Sequence, residues 1–138
     1  MPLRTARKST PYIIGTSILS STLTIDYADN AVSFPTEMYR GMKLYVSYTP
    51  ADNLRTMSIQ IEYSPDGSDW YTESVEAQAS SGVGNLLVWT GTIEGTTLGT
   101  EYKRAYRVPV DSRYVRVSVK EDGAANFGAV TIQGDFKI

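Results

Sequence analysis

The 138-residue chain has no cysteine and no histidine. Without cysteine there can be neither a disulfide scaffold nor a thiolate metal site. Without histidine the commonest general base and the commonest metal ligand are both missing, so Ser-His-Asp, Cys-His and His-based zinc chemistry are out of reach. No Gly-x-x-x-x-Gly-Lys loop and no Gly-x-Gly-x-x-Gly turn is present to cradle phosphate. The 15 acidic residues would allow a pair of carboxylates for glycoside hydrolysis by number, but they are scattered along the chain, mostly at turns and on wet strand faces. No run approaches the roughly 20 apolar residues of a membrane-spanning helix. The formal charge of −2 gives no general attraction to nucleic acid or anionic lipid, and no basic stripe is interleaved with aromatics along the chain. These absences lead us to expect no enzyme activity, no cofactor, no metal, and neither nucleic acid nor membrane as partner.

Helical periodicity is nearly missing too, and what replaces it is alternation. In "MKLYVSY", Met42, Leu44, Val46 and Tyr48 share one face and Lys43, Tyr45 and Ser47 the other. "MSIQIEY" places Met57, Ile59, Ile61 and Tyr63 together, "YVRVSVK" places Val115, Val117 and Val119, and "AVTIQGDFKI" places Val130 and Ile132. "LTIDY" reads the same way through Leu23, Ile25 and Tyr27, and weaker strands are expected over 31–34, 70–77, 86–92 and 105–108. About nine strands with turn signals between them predict an all-β fold, an antiparallel β-sandwich of jelly-roll type. Each sheet then has one packed face and one that is wet or covered by a partner. "GTIEGTTLGTEYK" (91–103) reads as a long exposed loop and "ASSGVGN" (79–85) as a flexible connection.

The first 17 residues are different. Arg4, Arg7 and Lys8 give the opening ten residues +3, against −5 for the remainder, and two prolines interrupt the segment. The apolar run "YIIGTSIL" is short and broken by Gly15, Thr16 and Ser17, so it is not expected to be a secretory signal. We expect 1–17 to be an extended arm and 18–138 a single sandwich domain. An arm this polar needs a surface to lie on. Its anticipated contacts are Tyr12, Ile13 and Ile14 as apolar anchors with Arg4, Arg7 and Lys8 as charged ones, placed on a neighbouring subunit or partner.

"YSPDGSDWY" (63–71) holds the most legible turn. Pro65 has its φ already set and Gly67 can take a positive one. Asp66, Asp69 and Asp122 beside Gly123 are oxygen ligands of the kind calcium takes, but Asp-Gly is equally the ordinary hairpin dipeptide and no Asp-x-Asp-x-Asp loop occurs. Trp70 is expected to anchor the core while Tyr71 faces outward, and Trp89 is expected to be buried. If the turn bears a ligand site instead, Trp70 and Tyr71 are its residues.

Two resemblances follow from these stretches. "EYSPDGSDWYTES" with "VDSRYVRVSV" and a closing strand resembles the second half of discoidin-like jelly rolls, which implies a carbohydrate-binding module. "YSPDGSDW", "RYVRVSV" and a final "GAVTIQGDFKI", in a cysteine-free chain rich in Thr, Gly and Tyr, resemble structural proteins of tailed-bacteriophage virions. That second resemblance implies a capsid decoration or cement protein in the virion, held to the major capsid or other virion proteins by its sandwich and arm. Such a protein would be a homo-oligomer, with a trimer as one option. It is the leading expectation, and the carbohydrate-binding module is the alternative.

Overall fold

The computed structural model describes residues 12–72, 74–78, 84–88, 90–110, 112–123 and 125–138. Eleven strands are present among them: β1 (Tyr12–Thr22), β2 (Ala31–Pro35), β3 (Gly41–Thr49), β4 (Arg55–Ser64), β5 (Tyr71–Thr72), β6 (Ser74–Gln78), β7 (Gly84–Val88), β8 (Thr90–Gly95), β9 (Tyr102–Val108), β10 (Tyr114–Glu121) and β11 (Ala129–Lys137). They build two antiparallel sheets. The first has the order β1-β11-β3-β9, and the second β2-β10-β4 with β5 and β8 sharing the free edge of β4. The pairings are nested: β1 meets β11, β2 meets β10, β3 meets β9, and β4 meets β5 and β8. Such nesting is one long hairpin rolled up across two sheets, which is the jelly roll. The "SPDGSD" turn is the tip of that hairpin. A small β6–β7 hairpin pairs only with itself and is inserted between β5 and β8.

Alternation sets which face is packed. Leu44, Val46, Ile59, Ile61, Val115, Val117, Val119, Val130 and Ile132, all expected to face inward, are at most 2% exposed. Met42, Tyr48, Met57, Ile93, Val108 and Phe136 complete the layer between the sheets. Each large apolar side chain buried this way contributes about 1.5–3 kcal/mol. At one end Phe136 stacks on Tyr39 with centroids 4.6 Å apart and meets Phe34 edge-on at 5.6 Å.

Three expectations need correction. Residues 12–17 do not belong to an arm, because they form the first half of β1 and pair with β11 from Lys137 to Gln133. Two bulges, between Ile13 and Thr16 and between Ser17 and Leu19, break the alternation there and hid the strand from a period-two reading. Next, "LTIDY" is no strand. Leu23 is buried, but Ile25 is exposed, and Asp26 caps a 3₁₀ turn over Tyr27–Asn30 by accepting a hydrogen bond from the Ala28 amide. Finally, the exposed loop expected over 91–103 is confined to 96–101, because 91–95 belong to β8 and Tyr102 opens β9. A Cβ on Gly91 would lie 2.6 Å from the Tyr106 ring, and one on Gly95 2.8 Å from Pro50 and 2.9 Å from Tyr48. These glycines let aromatic side chains close against β8 and are not signs of a flexible segment. Trp89 and most of 79–85 lie outside the described residues. No helix in the described residues is long and apolar enough to cross a membrane.

Candidate functional site

The turn at the hairpin tip is held by its own hydrogen bonds. Asp66 Oδ1 accepts hydrogen bonds from the amides of Ser68 (2.8 Å) and Asp69 (2.9 Å) and from the Ser64 hydroxyl (3.0 Å). The two amides first, then the Ser64 hydroxyl, hold this carboxyl down at about 2. Gly67 takes φ +81°, and its Cα faces the Tyr114 ring. Asp122 Oδ1 is likewise taken up by the Thr56 amide at 2.7 Å. The Asp66 and Asp122 carboxylates are therefore engaged by backbone amides, and the described residues contain no cluster of three metal-ligating side chains. Trp70 does not sit in the core. It is half-buried on the outer face of the second sheet, with the Arg116 guanidinium 4.6 Å from its ring centre. Tyr71 is exposed on β5.

Of the expected arm contacts, Arg4, Arg7 and Lys8 lie outside the described residues. Tyr12, Ile13 and Ile14 are in β1, at the border of the first sheet, with Ile13 39% and Ile14 75% exposed. Tyr12 and Ile13 pair with Lys137 and Phe136 of this chain's own β11.

The side chains that do converge are on the outer face of the first sheet. Because Leu44 and Val46 point inward, Lys43, Tyr45 and Ser47 point out, and register aligns them with β9 and β11. Three rows result: Thr131–Ser47–Lys103, Gln133–Tyr45–Ala105 and Asp135–Lys43–Arg107. Tyr45 has small Ala105 on one side and flat Gln133 on the other, so its ring stands clear and is 43% exposed. Two open hollows, of about 620 and 660 Å³, meet at Tyr45. Ser47, Thr131, Gln133, Glu101, Lys103 and Arg104 line one, while Ile14, Arg40, Lys43, Arg107, Asp135 and Lys137 line the other.

Charge is concentrated here. Ten Lys and Arg follow residue 11, and six of them (Arg40, Lys43, Lys103, Arg104, Arg107, Lys137) line these hollows. Only Glu101 and Asp135 oppose them. Glu101 accepts a hydrogen bond from the Ser47 hydroxyl and lies 3.6 Å from Lys103 Nζ, and these two contacts hold its carboxyl below the ordinary range. Asp135 accepts from the Gly15 amide at 2.8 Å, which fixes the bulge of β1 beside the site. Lys43, Arg104, Arg107 and Lys137 have no acidic partner among the described residues.

A sequence signal for this face existed. The residues opposite the apolar stripe of β3 are Lys43, Tyr45 and Ser47, and "KRAYR" puts cations at Lys103 and Arg107 in the same alternation. The sequence does not say that β9 and β11 flank β3, so the cations look dispersed along the chain until the sheet order is known.

One buried polar group is structural. Glu121 is fully buried, where it accepts a hydrogen bond from the Tyr48 hydroxyl and another from the Gly128 amide at 2.9 Å. It ties β3 to β10 and to the turn before β11.

No protein-family model matches the chain, and no curated protein matches it. Some solved structures are distantly similar to it. The K3 cleaved adhesin domain of Lys-gingipain from Porphyromonas gingivalis is 17% identical over 88% of this chain and 74% of that one, with a TM-score of 0.46. The C-terminal domain of EclA, a sugar-binding protein, is 13% identical over 95% of this chain and 79% of that one, with a TM-score of 0.37. The exo-β-1,3-galactanase of Phanerochaete chrysosporium is 9% identical over 96% of this chain and 30% of that chain, with a TM-score of 0.34. These are distant likenesses of fold.

Proposed function

We propose that this chain is a non-catalytic carbohydrate-binding module that takes its saccharide on the outer face of the β1-β11-β3-β9 sheet. The observation that supports it is the exposed ring of Tyr45 at the junction of two open hollows, surrounded by hydroxyl, amide and charged groups. A sugar offers C–H faces to an aromatic ring and hydroxyls to polar groups around it. An apolar platform bordered by a few polar side chains is the general form of a small-ligand site. Gln133 supplies an amide donor and acceptor in the ring's own row, Ser47 and Thr131 supply hydroxyls, and Asp135 and Lys43 extend the polar rim. Nothing in this account requires a nucleophile or a general base.

The capsid-cementing reading has less behind it. Its charged contacts lie outside the described residues, its apolar anchors are strand residues of the sandwich, and the phage resemblance is one of composition and phrasing.

The test is a glycan array followed by titration calorimetry on the intact chain and on Tyr45→Ala. Tyr45 points away from the core, so the variant should melt within about 2 °C of the parent while losing saccharide binding. Saccharide binding that survives Tyr45→Ala but is lost in Trp70→Ala or Tyr71→Ala would move the site to the hairpin tip and overturn the assignment.

A further inference from the structure

We infer that the saccharide this face takes is acidic, an oligosaccharide carrying carboxylate or sulfate groups. The inference rests on the carbohydrate-binding reading and adds the ligand's charge. Lys43 and Arg107 are directly paired in register and form the row next to Tyr45, about 7 Å along the strands. That distance puts their head groups beside a sugar stacked on the ring. Lys137 and Arg40 continue the cationic surface past them, while Lys103, beside Glu101, lies on the opposite side of Tyr45. Cations on both sides of one aromatic platform fit a chain of sugars with repeated anionic groups better than they fit a neutral ring.

The charge state of the two sheets makes the same point. The four cations away from this face among the described residues are all engaged: Arg55 with Asp52 at 3.1 Å, Arg113 with Glu37 at 3.0 Å, Arg116 with Glu62 at 2.8 Å, and Lys120 over the Tyr27 ring at 4.6 Å. This chain therefore pairs its cations elsewhere. Along β3, β9 and β11 it groups them and leaves Lys43, Arg107 and Lys137 without acids among the described residues, although the chain as a whole is at −2. Mutual repulsion among grouped cations is relieved by an anion laid across them. Nucleic acid is the weaker fit, because single-stranded binders stack successive bases on several aromatics and this face offers Tyr45 alone among its lining residues.

The experiment titrates the intact chain with polygalacturonate oligomers for carboxylate, chondroitin sulfate oligomers for sulfate, neutral galactan oligomers, and a single-stranded oligonucleotide. The parent, Tyr45→Ala, Lys43→Gln/Arg107→Gln and the control Arg113→Gln are compared at two salt concentrations. Binding of one or both acidic glycans is expected to be salt-sensitive and to weaken about tenfold in Lys43→Gln/Arg107→Gln, which removes two exposed charges. Arg113→Gln should bind as the parent does. The relative affinities for the carboxylated and sulfated oligomers identify the anion. If neutral galactan binds as tightly as the acidic oligomers and the double substitution leaves it unchanged, the acidic assignment falls and the saccharide reading stands. Absence of binding to any glycan overturns both. Oligonucleotide binding stronger than glycan binding, and indifferent to Tyr45→Ala, also overturns both.

Discussion

The two outer faces of the sandwich come from the same alternation and handle charge in opposite ways. On the second sheet, Arg116 is held between the Glu62 carboxylate and the Trp70 ring, and Lys120 covers Tyr27. Aromatic and cation satisfy each other, and little is left for a ligand. On the first sheet, Tyr45 is open and, Lys103 beside Glu101 apart, the cations next to it are grouped rather than ion-paired among the described residues; Lys43 comes no closer than 5.9 Å to the ring centre. A cation already stacked and ion-paired adds stability, whereas one left unpaired in a group is available for binding. The difference between the sheets is thus one of engagement, not of composition.

The largest expected effect comes from removing the border of the face proposed to take the saccharide. Deleting residues 2–17 strips Tyr12 to Ser17 from β11 and removes the Gly15 amide from Asp135. With cross-strand pairs worth about 0.2–1 kcal/mol each and backbone hydrogen bonds about 1, the loss should reach about 3–5 kcal/mol. A matched deletion of residues 2–11 keeps those rungs and should cost much less. Chemical denaturation of the two truncations measures the gap. Equal midpoints would mean that the first half of β1 adds nothing to the sheet. Binding should suffer only in the longer deletion, since Ile14 lines one hollow and Gly15 orients Asp135.

The next effect uses two tyrosines of one strand. Tyr45 and Tyr48 lie on opposite faces of β3, one open and the other fully buried with its hydroxyl on Glu121. Tyr48→Phe leaves a buried carboxylate with the Gly128 amide but without its hydroxyl donor, at a cost of about 1–3 kcal/mol. Tyr45→Phe should cost almost nothing. The pair also differs with pH. Burial, followed by the hydrogen bond to Glu121, pushes the Tyr48 hydroxyl well above its ordinary value of 10. A group whose pKa is raised by folding stabilises fully below the unfolded value and loses that contribution as pH rises above it, because the unfolded chain ionises first. Stability of the parent should therefore fall with increasing pH beyond about 10. Tyr48→Phe should flatten this slope in alkaline denaturation curves, with a residual slope from Tyr27 and Tyr106, which burial also raises. An unchanged slope would remove Tyr48 from the account.

How much of this was legible follows from what period-two patterning records. It reports which side of a strand is apolar, so the inward residues of β3, β4, β10 and β11 could be read directly from the sequence. It does not report neighbours. Tyr45 was visible as an outward residue but not as the centre of a site, because Gln133 and Ala105 join its row only through sheet order. Bulges defeat the pattern as well, which is why Ile13 and Ile14 read as arm anchors. The "SPDGSDW" turn drew notice because its chemistry is local. Local chemistry marks where a chain reverses, whereas the proposed site is assembled from three strands far apart in sequence.

The smallest expected effect tests the contrast between the faces most directly. Arg116→Ala removes a partly buried ion pair and the cation over Trp70, leaving Glu62, whose side chain is 14% exposed, without its partner. The loss should be about 1–2 kcal/mol and nearly insensitive to salt, since a pair this sheltered is poorly screened. Arg107→Ala breaks no ion pair found among the described residues and relieves its repulsion with Lys43. It should leave stability within about 0.5 kcal/mol of the parent and on the favourable side at low ionic strength. Added salt screens the grouped cations, so the parent should gain a few tenths of a kcal/mol between low and physiological ionic strength, and Arg107→Ala should gain less. Thermal melts of the three proteins across a salt series give both numbers. If Arg107→Ala is destabilised as much as Arg116→Ala, Arg107 has a structural partner and the grouped cations of the first sheet are part of the fold. If it is neutral or stabilised and its salt gain shrinks, the fold bears the cost of holding those cations together, as a face that receives an anion requires.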